Sequence, residues 1–281
     1  MHLGINTFLF TSPFTNRSTR LFAQFRRWGF DSVEIAVEDP AHIDPKHIKA
    51  ALDEHGLAGG TLCACFPPAR DLRGTHQQQR DCKKYLRQLI EMMPTLGSRT
   101  LIGPLYSATG RAEMVSAQER RQQWRTVVKN LREVCAAAED QGVQIAMEPL
   151  NRFETDFLNT VEQGLAMIAD VDDPALKLLL DTFHMNIEEK DVPAAIRRAG
   201  RHIAHIHACG TDRGTPGNDH LNWAGIAAAL RDIRYDGDVV IESFTPDVKV
   251  IARAAAIWRP IEPSREHIAV RGLQFLRRHL Q

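Results

Sequence analysis

Four residues of this chain are placed to work at one chemical centre. Glu148, Asp181, His207 and Glu242 each close a largely apolar run, namely Ile145-Ala146-Met147, Leu178-Leu179-Leu180, Ile203-Ala204-His205-Ile206 and Val239-Val240-Ile241. They are separated by 33, 26 and 35 residues, and each gap is close to the length of one strand–helix unit. Three carboxylates in one buried site repel one another unless a cation offsets them. Two Glu, one Asp and one His make a mostly oxygen donor set with a single nitrogen. That set suits a hard or borderline divalent ion such as Mn²⁺, Co²⁺ or Mg²⁺. A structural zinc site wants thiolates, and none closes these runs. Taken singly, each residue also reads as a lone polar group tied down by local hydrogen bonds. Four in succession, each ending an apolar run, argue against that.

The elements that must carry these residues alternate along the chain. Strand candidates are Leu3–Phe8, Ser32–Val37, Gly60–Phe66, Arg99–Leu105, Gln144–Leu150, Lys177–Phe183, Ile203–Ala208 and Val239–Phe244. Most are apolar on both sides of the alternation, as strands of a parallel sheet covered on both faces must be. Helical stretches lie between them. In Gln118–Gln141, Trp124, Val127, Val128, Leu131, Val134 and Cys135 recur at helical spacing, and Gly142 supplies a stop. Phe22, Phe25 and Trp28 form a similar stripe before Gly29, and Gly56 and Gly97 precede strands as helix terminators do. Eight such units predict a single-domain (β/α)8 TIM barrel over residues 1–281, whose chemistry sits where the strands end. Consecutive strands of a barrel are neighbours, so the four side chains should converge. A doubly wound sheet of fewer strands is the alternative, but the chain has neither GxGxxG nor GxxxxGK[ST].

Composition narrows the function classes. The 281 residues carry 35 Lys+Arg and 35 Asp+Glu, a formal net charge of zero. A nucleic-acid-binding protein usually shows a basic excess or stripe, so no nucleic-acid partner is expected. No apolar run approaches the roughly 18 residues of a membrane span, and no secretory signal is read at the N-terminus. The five cysteines are odd in number and form no CxxC pair, which disfavours a disulfide framework. A reducing cytoplasm is the expected compartment.

The strings around the four residues are specific. Glu148-Pro-Leu-Asn-Arg-Phe-Glu154 and Asp181-Thr-Phe-His-Met-Asn-Ile-Glu-Glu189 closely resemble the ketose 3-epimerases, the group of the D-tagatose and D-allulose (psicose) 3-epimerases within the xylose-isomerase-like superfamily. His207-Ala-Cys-Gly-Thr-Asp-Arg213, Val240-Ile-Glu242-Ser-Phe244, Ile257-Trp258-Arg259 and Gly272-Leu-Gln-Phe-Leu276 look like its later motifs, so the resemblance covers nearly the whole chain. It implies a TIM barrel, commonly a homodimer or homotetramer, binding Mn²⁺ or Co²⁺ and acting on a small-molecule ketose. Glu148, Asp181, His207 and Glu242 would hold the metal, and Glu148 and Glu242 would also be the acid/base pair. Glu154, His184 and Arg213 would contact sugar oxygens. The implied reaction removes the proton at C3 of a 2-ketose, α to the carbonyl, through a metal-stabilised cis-enediolate, and returns a proton on the other face. Free sugar is favoured over sugar phosphate, since no glycine-rich helix N-terminus follows the late strands.

Two positions depart from the family pattern. Gly210 stands where the family often carries Glu, and Asn6 stands where some relatives have an aromatic residue. Asn6 either donates to a sugar hydroxyl or caps the strand end. Cys63 and Cys65 read mainly as packing residues, with a contact at the barrel mouth as the other option. His205 reads as a satisfied core histidine one layer below His207, and His220 as an exposed loop residue. Arg26-Arg27 and Arg277-Arg278 read as solvated helix faces. Gly103–Ser107 reads as a pocket wall, and Trp258 and Arg259 as a mouth loop or a subunit contact. Three other functions compete: a hydroxypyruvate isomerase or inosose dehydratase of the same superfamily, an endonuclease IV-type repair enzyme, and a non-catalytic sugar-binding barrel. The NRFE and DTFHMN strings, the shortage of further histidine ligands and the intact Glu148 and Glu242 speak against them respectively.

Overall fold

A computed structural model describes residues 1–280. Eight parallel strands close into a barrel in chain order: β1 (His2–Asn6), β2 (Ser32–Val37), β3 (Ala58–Ala64), β4 (Thr100–Gly103), β5 (Gln144–Met147), β6 (Leu176–Asp181), β7 (Ile203–Ala208) and β8 (Asp238–Ile241). β8 returns to pair with β1, with Leu3 opposite Val239 and Ile5 opposite Ile241. The helices are α1 (Phe22–Trp28), α2 (Pro45–His55), α3 (His76–Leu96), α4 (Ala117–Asp140), α5 (Val161–Val171), α6 (Thr182–Glu188), α7 (Val192–Ala199), α8 (Trp223–Asp232), α9 (Lys249–Ala254) and α10 (Arg265–Leu280). This is the TIM barrel that the alternation predicts, built as a single domain.

The two-residue period of each strand divides its side chains between two cores. Ile35, Leu62, Leu101, Ile145, Leu178 and Ile206 join the large cluster shared with the helices. Their neighbours Ala36, Cys63, Ile102, Ala146 and Leu179 form a separate cluster inside the barrel. Continuing each inward row toward the strand's end brings up Asn6, Glu148, Asp181, His207 and Glu242. The helices cover the outside because their apolar stripes match it. α4 starts at Ser116, whose hydroxyl and Glu119 form a capping box, and buries Val127, Leu131, Val134 and Cys135; Trp124 and Val128 are only partly buried. Phe25 in α1 is fully buried 5.1 Å from the Phe10 ring, and α1 ends at Gly29 with φ of 99°. Burying a side chain of that size contributes about 1.5–3 kcal/mol.

Several strands stop earlier than the apolar runs suggest, for physical reasons. β1 ends at Asn6, because a 3-10 turn over Thr7–Leu9 begins there with Asn6 Oδ1 accepting the Phe8 N–H. β4 ends at Gly103 (φ 132°), where an added Cβ would lie 2.8 Å from the Ala64 carbonyl oxygen. β5 ends before Glu148, which Pro149 follows. β6 runs directly into α6, with Asp181 as the helix N-cap. These endings leave the polar residues at the barrel's C-terminal rim, where Asp181 and His207 are still paired side by side.

The loops around that rim are tied by charge. Arg73, beyond β3, meets Asp156, beyond β5, at 2.5 Å, and Arg120 pairs with the same carboxylate. Arg111 reaches back to Asp71 at 2.9 Å. Burial disfavours an ionised Asp156, but Arg73 and Arg120 together hold its carboxyl below the usual range. No helix among the described residues is long and apolar enough to cross a membrane.

Candidate active site and metal centre

Glu148, Asp181, His207 and Glu242 meet at the rim, all buried, with one donor atom from each lying within 4.8 Å of the others. His207 Nδ1 lies 3.7 Å from Glu148 Oε1, 3.7 Å from Asp181 Oδ2 and 3.4 Å from Glu242 Oε2. Glu148 Oε1, Asp181 Oδ2 and His207 Nδ1 are buried and have no hydrogen-bond partner among the described residues. Buried polar atoms are nearly always partnered, so three orphans aimed at one point mark a place built for a common partner. Oxygen, oxygen, oxygen and imidazole nitrogen are the donors a divalent cation takes, so these residues fit a metal ion.

The electrostatics agree. Burial pushes the Glu148 carboxyl up, and Glu242 adds to this; His207 and His184 offset only part of it. Burial also disfavours charge on Asp181, yet His184 and His207 hold its carboxyl below the usual range. Burial opposes a charge on His207, but Glu242 and Glu34 drive its affinity for a proton well above that of an ordinary histidine. The cluster therefore calls for positive charge at its centre.

Glu34 is the residue that the sequence reading missed. It stands mid-strand in β2, fully buried, with Oε1 2.8 Å from His207 Nε2 and Oε2 2.8 Å from His205 Nε2. Thr61 donates its hydroxyl to Oε2 at 2.5 Å. Burial would raise the Glu34 carboxyl, but His207 and His205 hold it well below the usual carboxylate range. An ionised Glu34 only accepts, so it places the His207 proton on Nε2 and turns the Nδ1 lone pair toward the orphaned oxygens. Carboxylate–histidine pairing of this kind orients metal-binding imidazoles. A lone Glu between Val33 and Ile35 in a strand buried on both faces was the signal, since such a charge must be paired.

The second group lies beside the first. Asn151 donates its backbone N–H to His184 Nδ1 at 3.0 Å. Arg213 Nη2 is 2.7 Å from His184 Nε2 and 3.5 Å from Glu154 Oε1, while Nη1 is 3.7 Å from Glu242 Oε2. The guanidinium stacks between Phe183 (4.5 Å) and Phe244 (4.8 Å). Arg213 holds a left-handed backbone, φ 63°, an unfavourable conformation of the kind that collects at functional sites. The turn Gly210–Gly214 imposes it through Arg213 N–H to the Gly210 oxygen and Gly210 N–H to the Gly214 oxygen. A Cβ on Gly210 would lie 3.1 Å from the Thr215 oxygen, so this turn has little room for the side chain that relatives often carry. Glu154 is held below the usual carboxylate range: burial raises it, but Arg213, His184 and the Asn151 hydrogen bond together lower it more.

Asn6 is fully buried and hydrogen-bonded to Glu34 and Glu242. Tyr106, within the Gly103–Ser107 stretch, donates its hydroxyl to the Glu148 carbonyl at 2.9 Å and so fixes the backbone behind that carboxylate. Cys63 packs in the barrel interior and Cys65 is half-buried; all five thiols are free. His205 lies under His207 with Nε2 2.8 Å from Glu34, but neither of its ring nitrogens has a hydrogen-bond partner of good geometry among the described residues, so it is not the satisfied core histidine that the sequence suggests. His220, Arg26, Arg27, Arg277, Arg278, Trp258 and Arg259 are exposed.

A barrel with such a rim defines a class before it defines a protein. Residues 22–279 match the family described as xylose isomerase-like TIM barrels, and the chain belongs to that family. Within it, the chain is a member of the ketose 3-epimerases, enzymes that isomerise carbohydrates. A probable ketose 3-epimerase of Synechocystis sp. is 38% identical over 280 residues, covering 99% of this chain and 96% of that protein. An L-ribulose 3-epimerase of Methylomonas sp. is 30% identical, covering 89% and 87% respectively. The structure of a Methylomonas sp. D-allulose 3-epimerase in complex with D-allulose superposes with a TM-score of 0.92 at 28% identity, covering 99% of this chain and 97% of that one.

Proposed function

We propose that this chain catalyses metal-dependent epimerisation at C3 of free ketoses of the D-tagatose, D-fructose/D-allulose or L-ribulose type. The observation that carries the reading is the set of orphaned donor atoms on Glu148, Asp181 and His207, facing Glu242 across one buried point. A divalent ion held by these four residues, Mn²⁺ or Co²⁺ with Mg²⁺ also fitting the donors, supplies Lewis-acid stabilisation of the negative charge that develops on the ketose oxygens. The chain's own residues do the rest. Glu148 and Glu242 come from β5 and β8, with β6 and β7 between them, and approach the pocket from different sides. One takes the C3 proton and the other returns a proton to the opposite face, which inverts the carbon. Arg213 Nη2 lies 2.7 Å from His184 Nε2, and the buried Arg213 Nε–H has no hydrogen-bond partner among the described residues. A sugar oxygen is an acceptor that this N–H can take. Glu154 accepts from a sugar hydroxyl and anchors Arg213.

Phe153, Trp258 and Met114 are exposed in loops beyond β5, β8 and β4. They give this end of the barrel apolar surface for self-association as a homodimer or homotetramer.

The direct test is incubation of the protein and Mn²⁺ with a panel of ketoses in heavy water. The expected products are C3 epimers carrying deuterium at C3. Aldose products, or dehydration without C3 inversion, would instead place the chain with the hydroxypyruvate isomerases or inosose dehydratases. Arg213→Ala is expected to raise KM about tenfold, in keeping with one lost charge-assisted hydrogen bond, and to lower kcat less. Steady-state kinetics on the best ketose reads this, and an unchanged KM removes Arg213 from sugar binding.

A further inference from the structure

Asn6 has no polar atom left for a ligand. Its Oδ1 accepts the Phe8 backbone N–H at 2.7 Å. A backbone N–H can only donate, so this contact fixes which end of the amide is oxygen and turns the amide nitrogen toward the carboxylates. The two protons of Nδ2 go to Glu34 Oε1 at 2.7 Å and Glu242 Oε1 at 3.2 Å. One amide thus ties the carboxylate that orients His207 to a carboxylate of the proposed acid/base pair. We infer that Asn6 is a positioning residue for Glu242, holding its Oε1 from β1 while Oε2 faces His207 Nδ1 at 3.4 Å. Glu148 has no such tether: its Oε1 lacks any hydrogen-bond partner among the described residues. The two proposed acid/base groups are therefore held unequally, and losing Asn6 disturbs one proton transfer and spares the other. This inference rests on the reading of Glu148 and Glu242 as acid and base.

The test uses Asn6→Ser, which keeps an oxygen near the Phe8 N–H but does not reach both carboxylates. The Mn²⁺-loaded variant is incubated in heavy water with each member of one C3 epimer pair. With the epimer deprotonated by Glu148, the intermediate waits for a misplaced Glu242 and is reprotonated from the side it left. Deuterium then enters recovered substrate at C3 about tenfold or more faster than product forms. With the opposite epimer, deprotonation itself is slowed, and exchange does not outrun turnover. Mn²⁺ affinity of the demetallated protein, read by titration calorimetry, should weaken about tenfold, as happens when a residue orienting a metal ligand is lost. Both readouts must move. Exchange and turnover that fall in step for both epimers, exchange and turnover that do not change, or an unaltered Mn²⁺ affinity each overturn the inference. If Asn6→Ser does not melt cooperatively, Asn6→Ala carries the same comparisons. Wild-type protein that places no deuterium at C3 of any ketose would sink the epimerase reading itself, a different outcome from a symmetric response of the variant.

Discussion

Glu148→Gln and Glu242→Gln are each expected to bring C3 epimerisation of the best ketose down by about three to four orders of magnitude, the upper range for losing a general acid or base. The replacement keeps the shape and one oxygen of the side chain but removes the group that carries the proton. The barrel should survive it: Tyr106 holds the Glu148 carbonyl, and the Phe244 backbone N–H just beyond Glu242 is tied to the Arg213 oxygen. Neither support uses the carboxylate. Because inversion needs one group on each face, the losses do not add in the double variant, which falls no further than the worse single one. Product ratios and rates from chromatography of the sugars check this. Near-normal turnover in either variant would remove that residue from the pair, and two additive losses would show that the residues do not act as a unit.

Much of this arrangement is legible in the order of residues, and what is not has physical causes. The four donors announce themselves because each interrupts an apolar run where a parallel strand must end. Glu34 carries equal weight at the site but sits within β2, where nothing local distinguishes a charge that is paired across the barrel from one that faces a helix. Its partners, His205, His207, Asn6 and Thr61, come from three other strands, and only closure of the barrel brings them together. Asn6 was legible as a strand-end residue, and it does cap the turn at Phe8. Its link to Glu242, 236 residues away, depends on β8 returning beside β1. The exact strand ends also escape periodicity. Pro149, the left-handed Gly103 and the Asp181 cap end strands through backbone geometry while the apolar run continues past them.

Removing the divalent ion from the protein with a chelator should abolish epimerisation and lower the melting temperature together, because one buried cluster serves both. Without a cation, three carboxylates and an imidazole face one another with three donor atoms unpartnered. Burial and Glu242 already push the Glu148 carboxyl up, so part of the folding free energy goes into holding like charges together. An ion that binds the native cluster and not the unfolded chain adds about 2.7 kcal/mol when present at 100 times its dissociation constant. For a chain of this size that corresponds to a rise in Tm of about 5 °C. Mn²⁺ and Co²⁺ should restore both quantities, with Mg²⁺ doing so more weakly because its stricter geometry and reluctant dehydration favour fewer protein ligands. Thermal melts and turnover on the same demetallated sample separate the outcomes. A recovered Tm without recovered turnover would mean that the ion serves only to hold the rim. Full turnover in protein shown by elemental analysis to be free of metal would mean that Glu148 and Glu242 move the C3 proton without Lewis-acid help, and the roles of Asp181 and His207 would then reduce to orienting those two carboxylates.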